Sequence, residues 1–406
     1  MSYDNLKKLS YGKHSDYLAE YNRRFLSPSA YHLNFYIGEN EAFFIACKEV
    51  MELVVEILKT DKQILLISKR LPEKALIQYS YKCMIDEIVL TNKIEGVRSS
   101  RREINDVLDE LHKQAMVRNK AKRFRGIVTH YYKLMSKETI ATSTCQDIRN
   151  LYDELVLPEV QADNKAHVPD GKLFRKDAVQ IYNEAGRVIH TGMIPEEKIT
   201  AALEKALYFL HDESITELYR TCLFHYLFEY IHPFYDGNGR LGRFLVSYSL
   251  AQQLEPLLAY RISETIEEKK SVYYEAFKIC NHSRNLGDLT PFLIMMLTMI
   301  SQSVKELEKS LKSREESLNQ YSQVIENLPY STDRKMRDLY YILIQAALFD
   351  ENGVSIPELE DYLNCSYGTL NKNIRRIIEN DLIVEKKIGK KKYYAIKLEA
   401  LDQYIS

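Results

Sequence analysis

Apolar residues recur every three or four positions from Ser214 to Ile231 and again from Leu241 onward, and between the two runs the chain reads His232-Pro-Phe-Tyr-Asp-Gly-Asn-Gly-Arg-Leu-Gly-Arg243. This interruption constrains the fold more than any other feature. Leu218, Cys222, Leu223, Tyr226, Leu227 and Tyr230 make one core-facing helix stripe, and Leu241, Phe244, Leu245, Tyr248 and Leu250 begin another. Pro233 disfavours helical backbone at the residue before it, so the first helix is expected to stop at His232, with that residue extended. Gly237-Asn-Gly239 then sits at the start of the second helix, where glycine permits left-handed backbone angles and close approach of a ligand.

The rest of the chain points to a mainly α protein. Glu41 to Lys59 places Phe43, Ala46, Cys47, Val50, Met51, Val54 and Leu58 on one side of a predicted helix. Lys172 to Thr191 departs from this texture: Ala178–Tyr182 and Gly186–Thr191, around Asn183-Glu-Ala-Gly186, predict a small β-hairpin. Ser301 to Tyr321 is highly charged, with Val304, Leu307, Leu311 and Leu318 on a narrow stripe, and reads as a solvated linking helix. Beyond Pro329, Leu339–Leu348 is helical, and Ser355-Ile-Pro-Glu358 is a capping box that opens a short helix. A second helix follows, with Leu370, Ile374 and Ile377 inward and Lys372, Arg375 and Arg376 outward. Leu382–Val384 and Tyr393–Ile396 then form β-prone pieces around a lysine-rich turn. That order is the order of a winged helix-turn-helix.

Composition narrows the functional classes. The formal net charge of −1 gives the whole molecule no pull toward nucleic acid or acidic membrane, so any such pull is local. The six cysteines are far apart and none forms a Cys-x-x-Cys pair, which fits buried thiols in a reducing compartment. Met-Ser-Tyr-Asp-Asn-Leu-Lys-Lys lacks the apolar core of a signal peptide. The most apolar run, Pro291–Ile300, is far shorter than the ~20 residues of a membrane span. The expectation is a cytoplasmic protein with no membrane partner.

The interrupted stretch carries the chemistry. A helix start offers free N–H groups and a favourable dipole to an anion. Arg240 and Arg243 are three apart on one helix face, and guanidinium grips phosphate oxygens in a bidentate way. Asp236 is a candidate Mg²⁺ ligand, because Mg²⁺ takes one or two carboxylates plus phosphate oxygens. His232 has an ordinary pKa near the optimum for a general base at neutral pH. Alone, each has a plainer reading: a structural histidine, a turn, a wet arginine face. Together they converge on nucleotide chemistry, without the Gly-Lys-Ser/Thr of a P-loop.

The string His232 to Arg243 resembles the Fic family, whose pattern is His-Pro-Phe-x-Asp/Glu-Gly-Asn-Gly-Arg-x-x-Arg. Most members transfer AMP from ATP to a protein hydroxyl. By that resemblance His232 deprotonates a Ser, Thr or Tyr hydroxyl of the target, which attacks the α-phosphorus while pyrophosphate leaves. Asp236 holds Mg²⁺. Gly237, Asn238 and Gly239 cradle phosphate, Arg240 stabilises the leaving charge, and Arg243 reaches the γ-phosphate. Phe234 is a buried anchor. The hairpin ending in Val188, Ile189, His190 and Thr191 corresponds to the flap that pairs with the target as an added strand. Phe174-Arg175 fits the family's aromatic–arginine pair, and Tyr273-Tyr274 the pair flanking the nucleobase. Asp288-Leu-Thr-Pro-Phe292 fits the start of a late helix. The ribose-side asparagine is Asn281 or Asn285. Thr91-Asn-Lys-Ile-Glu95-Gly96 is similar to the family's inhibitory pattern Ser/Thr-x-x-x-Glu-Gly/Asn, here upstream of the catalytic string, so Glu95 is expected to pair with Arg243 as an internal brake. Some relatives use that glutamate to remove AMP, and a few transfer other phosphate-linked groups.

The expected organisation is an N-terminal helical region carrying the inhibitory helix (1–109), a Fic core with a hairpin flap (110–300), a linking helix (301–328) and a winged helix-turn-helix (329–406). The leading function is an autoinhibited, Mg²⁺-dependent protein adenylyltransferase, acting on a target protein or on itself, with ATP as substrate. The alternative is a DNA-binding regulator whose core senses nucleotide, with Lys372, Arg375, Arg376, Lys390 and Lys391 meeting duplex phosphates. Self-association into a homo-oligomer is left open.

Overall fold

The computed structural model describes residues 3–12, 16–112, 123–182, 188–388 and 391–405. It is mainly helical, with two small two-stranded sheets and one three-stranded sheet among these residues. The chain divides into two compact units, Met1–Asp61 with Met84–Lys305, and Lys62–Cys83 with Glu306–Ser406.

The first unit holds the interrupted stretch. Its two core helices run Glu217–Ile231 and Asn238–Gln253 and are buried nearly all round, from Leu218 to Ile231 and from Asn238 to Ala251. Around them pack helices Arg125–Met135, Cys145–Leu155 and Glu196–Leu210. Thr144 and Asp147 cap Cys145–Leu155 reciprocally, which fixes where it starts. Gly126 lets Arg125–Met135 approach that helix closely, since a Cβ there would overlap the Glu154 carbonyl. The expected hairpin is present as Gln180–Tyr182 paired antiparallel with Val188–Thr191. The apolar run Pro291–Ile300 lies within helix Thr290–Gln323, with Phe292, Leu293, Met296, Leu297 and Ile300 fully buried.

Two expectations for this unit are corrected. Residues Glu41–Ile45 are strand, not helix: Ala30–Ile37 and Asn40–Ile45 form a hairpin turning at Gly38, and helix begins only at Lys48. The apolar run Ala42–Ile45 is buried as a whole, and Phe43 also exchanges main-chain hydrogen bonds with Gly287 and Leu289 (3.0 and 2.7 Å). That second pairing lets a short run with no period of its own settle as a strand. Within helix Lys48–Ser68 the buried apolar side chains of this unit are Val50, Val54 and Ile57, whereas Met51 and Leu58 are about half exposed.

The N-terminal residues are tied into the same unit by a buried ion pair. Arg24 Nη1 meets Asp288 Oδ2 at 3.2 Å, the Tyr3 hydroxyl donates to the same oxygen at 2.5 Å, and Asp288 is fully buried.

The second unit contains helix Arg334–Phe349, strand Val354–Ser355, helices Ile356–Leu363 and Tyr367–Glu379, and strands Ile383–Ile388 and Lys391–Ile396. Lys391–Ile396 is the central strand of the three. The Ser355–Glu358 capping box is formed, and Leu370, Ile374 and Ile377 are buried as expected. The linking stretch is less solvated than its composition suggests, because Leu307, Leu311 and Leu318 are buried. Among the described residues no helix is long and apolar enough to cross a membrane.

Candidate active site

Helix Glu217–Ile231 ends at His232, whose backbone is left-handed (φ 53°, ψ 64°) rather than extended. The rule for residues before proline disfavours right-handed helix, and a left-handed C-terminal residue obeys it while turning the chain sharply. The turn exposes carbonyls that no helical N–H can reach. Donors from residues 175–193 take four in succession. His190 Nε2 donates to Tyr230 at 2.7 Å and the Met193 amide to Ile231 at 3.1 Å. Arg175 Nε donates to His232 at 2.9 Å and the Arg175 amide to Pro233 at 3.3 Å. The hairpin segment thus fixes the main chain of the candidate base.

The loop that follows is braced internally. Phe234 is fully buried, stacked on Tyr152 with centroids 3.7 Å apart and edge-on to Phe174. Asn238 closes the loop on itself: its Oδ1 accepts from the Phe234 amide (3.0 Å) and its Nδ2 donates to the Phe234 carbonyl (2.8 Å). Both polar atoms of its side chain are taken up within the loop, so its main-chain N–H is what it can offer a ligand. Gly237 has φ 80°, and a Cβ there would strike Val156. Asn238, Gly239 and Arg240 form the first turn of the next helix, where N–H groups have no intrahelical acceptor.

His232 is oriented by its own helix. Its Nδ1 lies 3.3 Å from the Glu229 carbonyl. A carbonyl only accepts, so Nδ1 carries the proton and Nε2 keeps its lone pair. Burial pushes the imidazole down to about 4, helped by His190 and Arg175 and opposed by Glu95. At neutral pH the ring is therefore a free base. The Glu229 carboxyl lies 3.7 Å from the same Nδ1 and is pushed up to about 8 by burial and by Glu95, against the pull of Arg243.

The two arginines of the stretch are almost wholly buried. Arg240 Nη2 lies 3.8 Å from Asp236 Oδ1, and Asp236 is 38% exposed with His167 Nδ1 3.6 Å away. Arg243 is held entirely by the C-terminal end of helix Glu73–Ile94 and the residue beyond it. Its Nη1 pairs with Glu95 Oε1 at 2.9 Å, Nε donates to Thr91 Oγ1 at 2.8 Å, and Nη2 donates to the Thr91 carbonyl at 3.0 Å. Burial alone would raise the Glu95 carboxyl, but Arg243, Arg240 and His232 hold it below its ordinary value. Glu95 also fills the space above Gly239, where a Cβ would overlap its carboxylate.

The remaining sequence-derived residues fall as follows. Tyr273 is buried and hydrogen-bonded to His225 (2.6 Å), with Tyr274 edge-on beside it. Asn281 accepts from the Tyr226 hydroxyl at 2.6 Å, while Asn285 is fully buried and donates to the Asp288 carbonyl. In the hairpin, Ile181 pairs with His190 and Gln180 with Thr191, while Ile189 lies between Val188 and His190 on the second strand. In the second unit Lys372, Arg375 and Lys391 are exposed, and Lys390 lies outside the described residues. Arg376, expected outward, is instead half-buried over the Tyr330 ring, 5.0 Å from its centroid, because that flat apolar face attracts guanidinium. Sequence reasoning missed Thr91 as a ligand of Arg243, Glu229 behind the imidazole, and Arg175 beneath its main chain. Thr91 alone was legible, four residues before Glu95 and so on the same helix face.

Residues 142–250 match the Fic/DOC family. The protein adenylyltransferase fic-1 of Caenorhabditis elegans is 27% identical over 145 residues, 33% of this chain and 27% of that protein. The protein adenylyltransferase Fic of Nematostella vectensis is 32% identical over 120 residues, 27% of this chain and 26% of that protein. The matches thus span about a quarter of the length of these relatives. A Fic family protein from Desulfovibrio desulfuricans G20 superposes with a TM-score of 0.51 at 21% identity, over 86% of this chain and 96% of its own. The segment 142–250 is thus similar to the Fic/DOC family and, more distantly, to the Fic protein adenylyltransferases, and the chain has the mainly helical Fic fold.

Proposed function

We propose that this chain is a protein adenylyltransferase whose resting state is held off by Glu95. The observation that carries the reading is the pair of roles within one loop: an imidazole with a free Nε2 lone pair, and a buried arginine occupied by an internal carboxylate. In this reading His232 Nε2 takes the proton of a target hydroxyl, whose oxygen bonds to the α-phosphorus of ATP as the bond to pyrophosphate breaks. The Gly237–Gly239 main chain and Arg240 face the phosphates, and Arg243 binds the terminal phosphate once Glu95 has left it. Catalysis rests on positioning and charge stabilisation.

The residues present fit Mg²⁺. Asp236 is a partly exposed carboxylate beside the anion-binding helix start, and among the described residues no group of three or more His, Cys, Asp or Glu side chains gathers into an all-protein cage. Bound there, Mg²⁺ supplies charge neutralisation for the phosphates. The hairpin Gln180–Thr191 is the proposed docking edge: it has two strands among the described residues, Val188 on the second is 47% exposed, and an extended target segment can add to it.

The test is incubation of the Glu95→Gly protein with ATP labelled on the α-phosphate. Label on protein that disappears with His232→Ala supports the enzyme. Absence of label from every protein of a cell extract, and from the chain itself, rejects it. The second unit supports a further reading, a winged helix-turn-helix that binds duplex DNA through exposed Lys372 and Arg375 on helix Tyr367–Glu379. Duplex affinity that falls steeply with salt tests it, and nucleotide-dependent duplex binding without transfer favours the regulator over the enzyme.

A further inference from the structure

Arg175 is fully buried, and among the described residues no carboxylate lies within ion-pairing distance of it. The hydrogen bonds its side chain makes among the described residues go to carbonyls alone. Nε donates to His232 at 2.9 Å and Nη1 to Asp177 at 2.6 Å, while Nη2 is buried with no hydrogen-bond partner among the described residues. Nη2 packs against Gly192, directly after the hairpin, where a Cβ would overlap it and would also press on the Cβ of His232. A buried guanidinium without a counter-charge is a costly way to hold a loop, because carbonyl dipoles compensate a full charge only in part. A neutral donor could bind the same carbonyls. The charge itself therefore calls for an explanation, and His232 is the functional group beside it.

We propose that Arg175 is a positioning residue for His232, closing the left-handed turn through the His232 carbonyl and keeping beside the imidazole a positive charge that no carboxylate among the described residues pairs. The inference rests on the reading of His232 as the base. The groups facing the ring are His190 from the hairpin, Arg175 from the segment before it, Glu95 from beyond helix Glu73–Ile94, and Glu229 from its own helix. Burial comes first in disfavouring the imidazolium, His190 and Arg175 add to it, and Glu95 opposes it. With Glu95 withdrawn during turnover, the arginine's influence acts unopposed by that carboxylate. Arg175 in turn faces Tyr235 as well as His232. The same side chain thus fixes where the ring points and keeps it ready to accept a proton.

The experiment is nitrogen NMR of the full chain labelled at histidine, in wild type, Arg175→Met and Arg175→Lys, together with AMP-transfer kinetics of the same substitutions in the Glu95→Gly background. In wild type His232 should read as the Nδ1–H tautomer and titrate well below an ordinary histidine. In Arg175→Met its midpoint should move up toward the ordinary value. In Arg175→Lys, which keeps the charge but loses the fork, it should stay low. Arg175→Met should lower kcat about tenfold or more with KM for ATP within about twofold, and Arg175→Lys should recover part of that loss. An unchanged His232 midpoint in a folded Arg175→Met protein, or unchanged kcat, overturns the proposal. If Arg175→Met does not fold, an unchanged kcat in Arg175→Lys overturns it alone. Should the Glu95→Gly background transfer nothing, the functional reading fails, and the NMR titration still decides the role of Arg175.

Discussion

Replacing Glu95 by glycine removes the carboxylate that pairs with Arg243, and the structure sets the size of the effect. The pair is made at 2.9 Å between a guanidinium 1% exposed and a carboxylate 24% exposed. An exposed pair contributes roughly 0.2–1 kcal/mol and a hydrogen bond to a buried charge about 1.5–3 kcal/mol, so a pair three-quarters buried is worth ~2 kcal/mol. That leaves Arg243 unoccupied in about one molecule in thirty. At low ATP, Glu95→Gly should therefore raise the rate of AMP transfer by roughly thirtyfold, with a smaller ratio at saturating ATP, where the terminal phosphate competes with the carboxylate. Glu95 lies just beyond helix Glu73–Ile94, so glycine there costs little helix stability, and the two Thr91 bonds keep the guanidinium in place. Glu95→Gln, which keeps an acceptor but no charge, should fall between. The assay is the initial rate of label incorporation across a range of ATP concentrations. A ratio within twofold at every concentration would refute the reasoning, because the pair could then not be competing with substrate.

Thr91→Val removes the acceptor of Arg243 Nε while leaving the main-chain bond, and should raise transfer about three- to tenfold in the presence of Glu95. In the Glu95→Gly enzyme the acid limb of the pH–rate profile should lie at or below about 4, because burial depresses His232 and the variant removes the Glu95 carboxylate, which opposes that depression. A limb between about pH 6 and 7, the range of an unperturbed histidine, contradicts this. The Glu95 carboxyl is also depressed in the folded protein, so its contribution to stability is present above the ordinary glutamate pKa and lost only as pH falls through the depressed value. Autoinhibition should accordingly be constant from about pH 5.5 to 8, measured as the ratio of Glu95→Gly to wild-type rates. Asp288→Ala removes the acceptor shared by Arg24 Nη1 and the Tyr3 hydroxyl, while Arg24 keeps its pair with Glu20, and should cost about 1–3 kcal/mol, read as a lower denaturant midpoint.

The helix–loop–helix joint was legible because its signals are local: two 3.6-residue stripes, a proline and three glycines in a dozen residues. Glu95 was legible only through family resemblance, since a glutamate before glycine at a helix end has no distinguishing pattern. The strand at Glu41–Ile45 was misread as helix because six apolar or small residues in a short run satisfy either period, and what decides is pairing with residues about 245 positions later in the chain. The left-handed backbone of His232 depends on carbonyls captured by residues 175–193, which no local rule foresees. Arg175 was legible only as half of the family's aromatic–arginine pair, and its burial was not, since an arginine in a polar loop looks solvated until the hairpin folds over it.

Glu95 and Arg243 belong to one compact unit of a single polypeptide. Their encounter is intramolecular, and the ratio of latched to unlatched molecules set by this contact is the same in a dilute solution as in a crowded one. A rate per molecule that rises or falls with the amount of protein would therefore report a different event, imposed on this contact from outside.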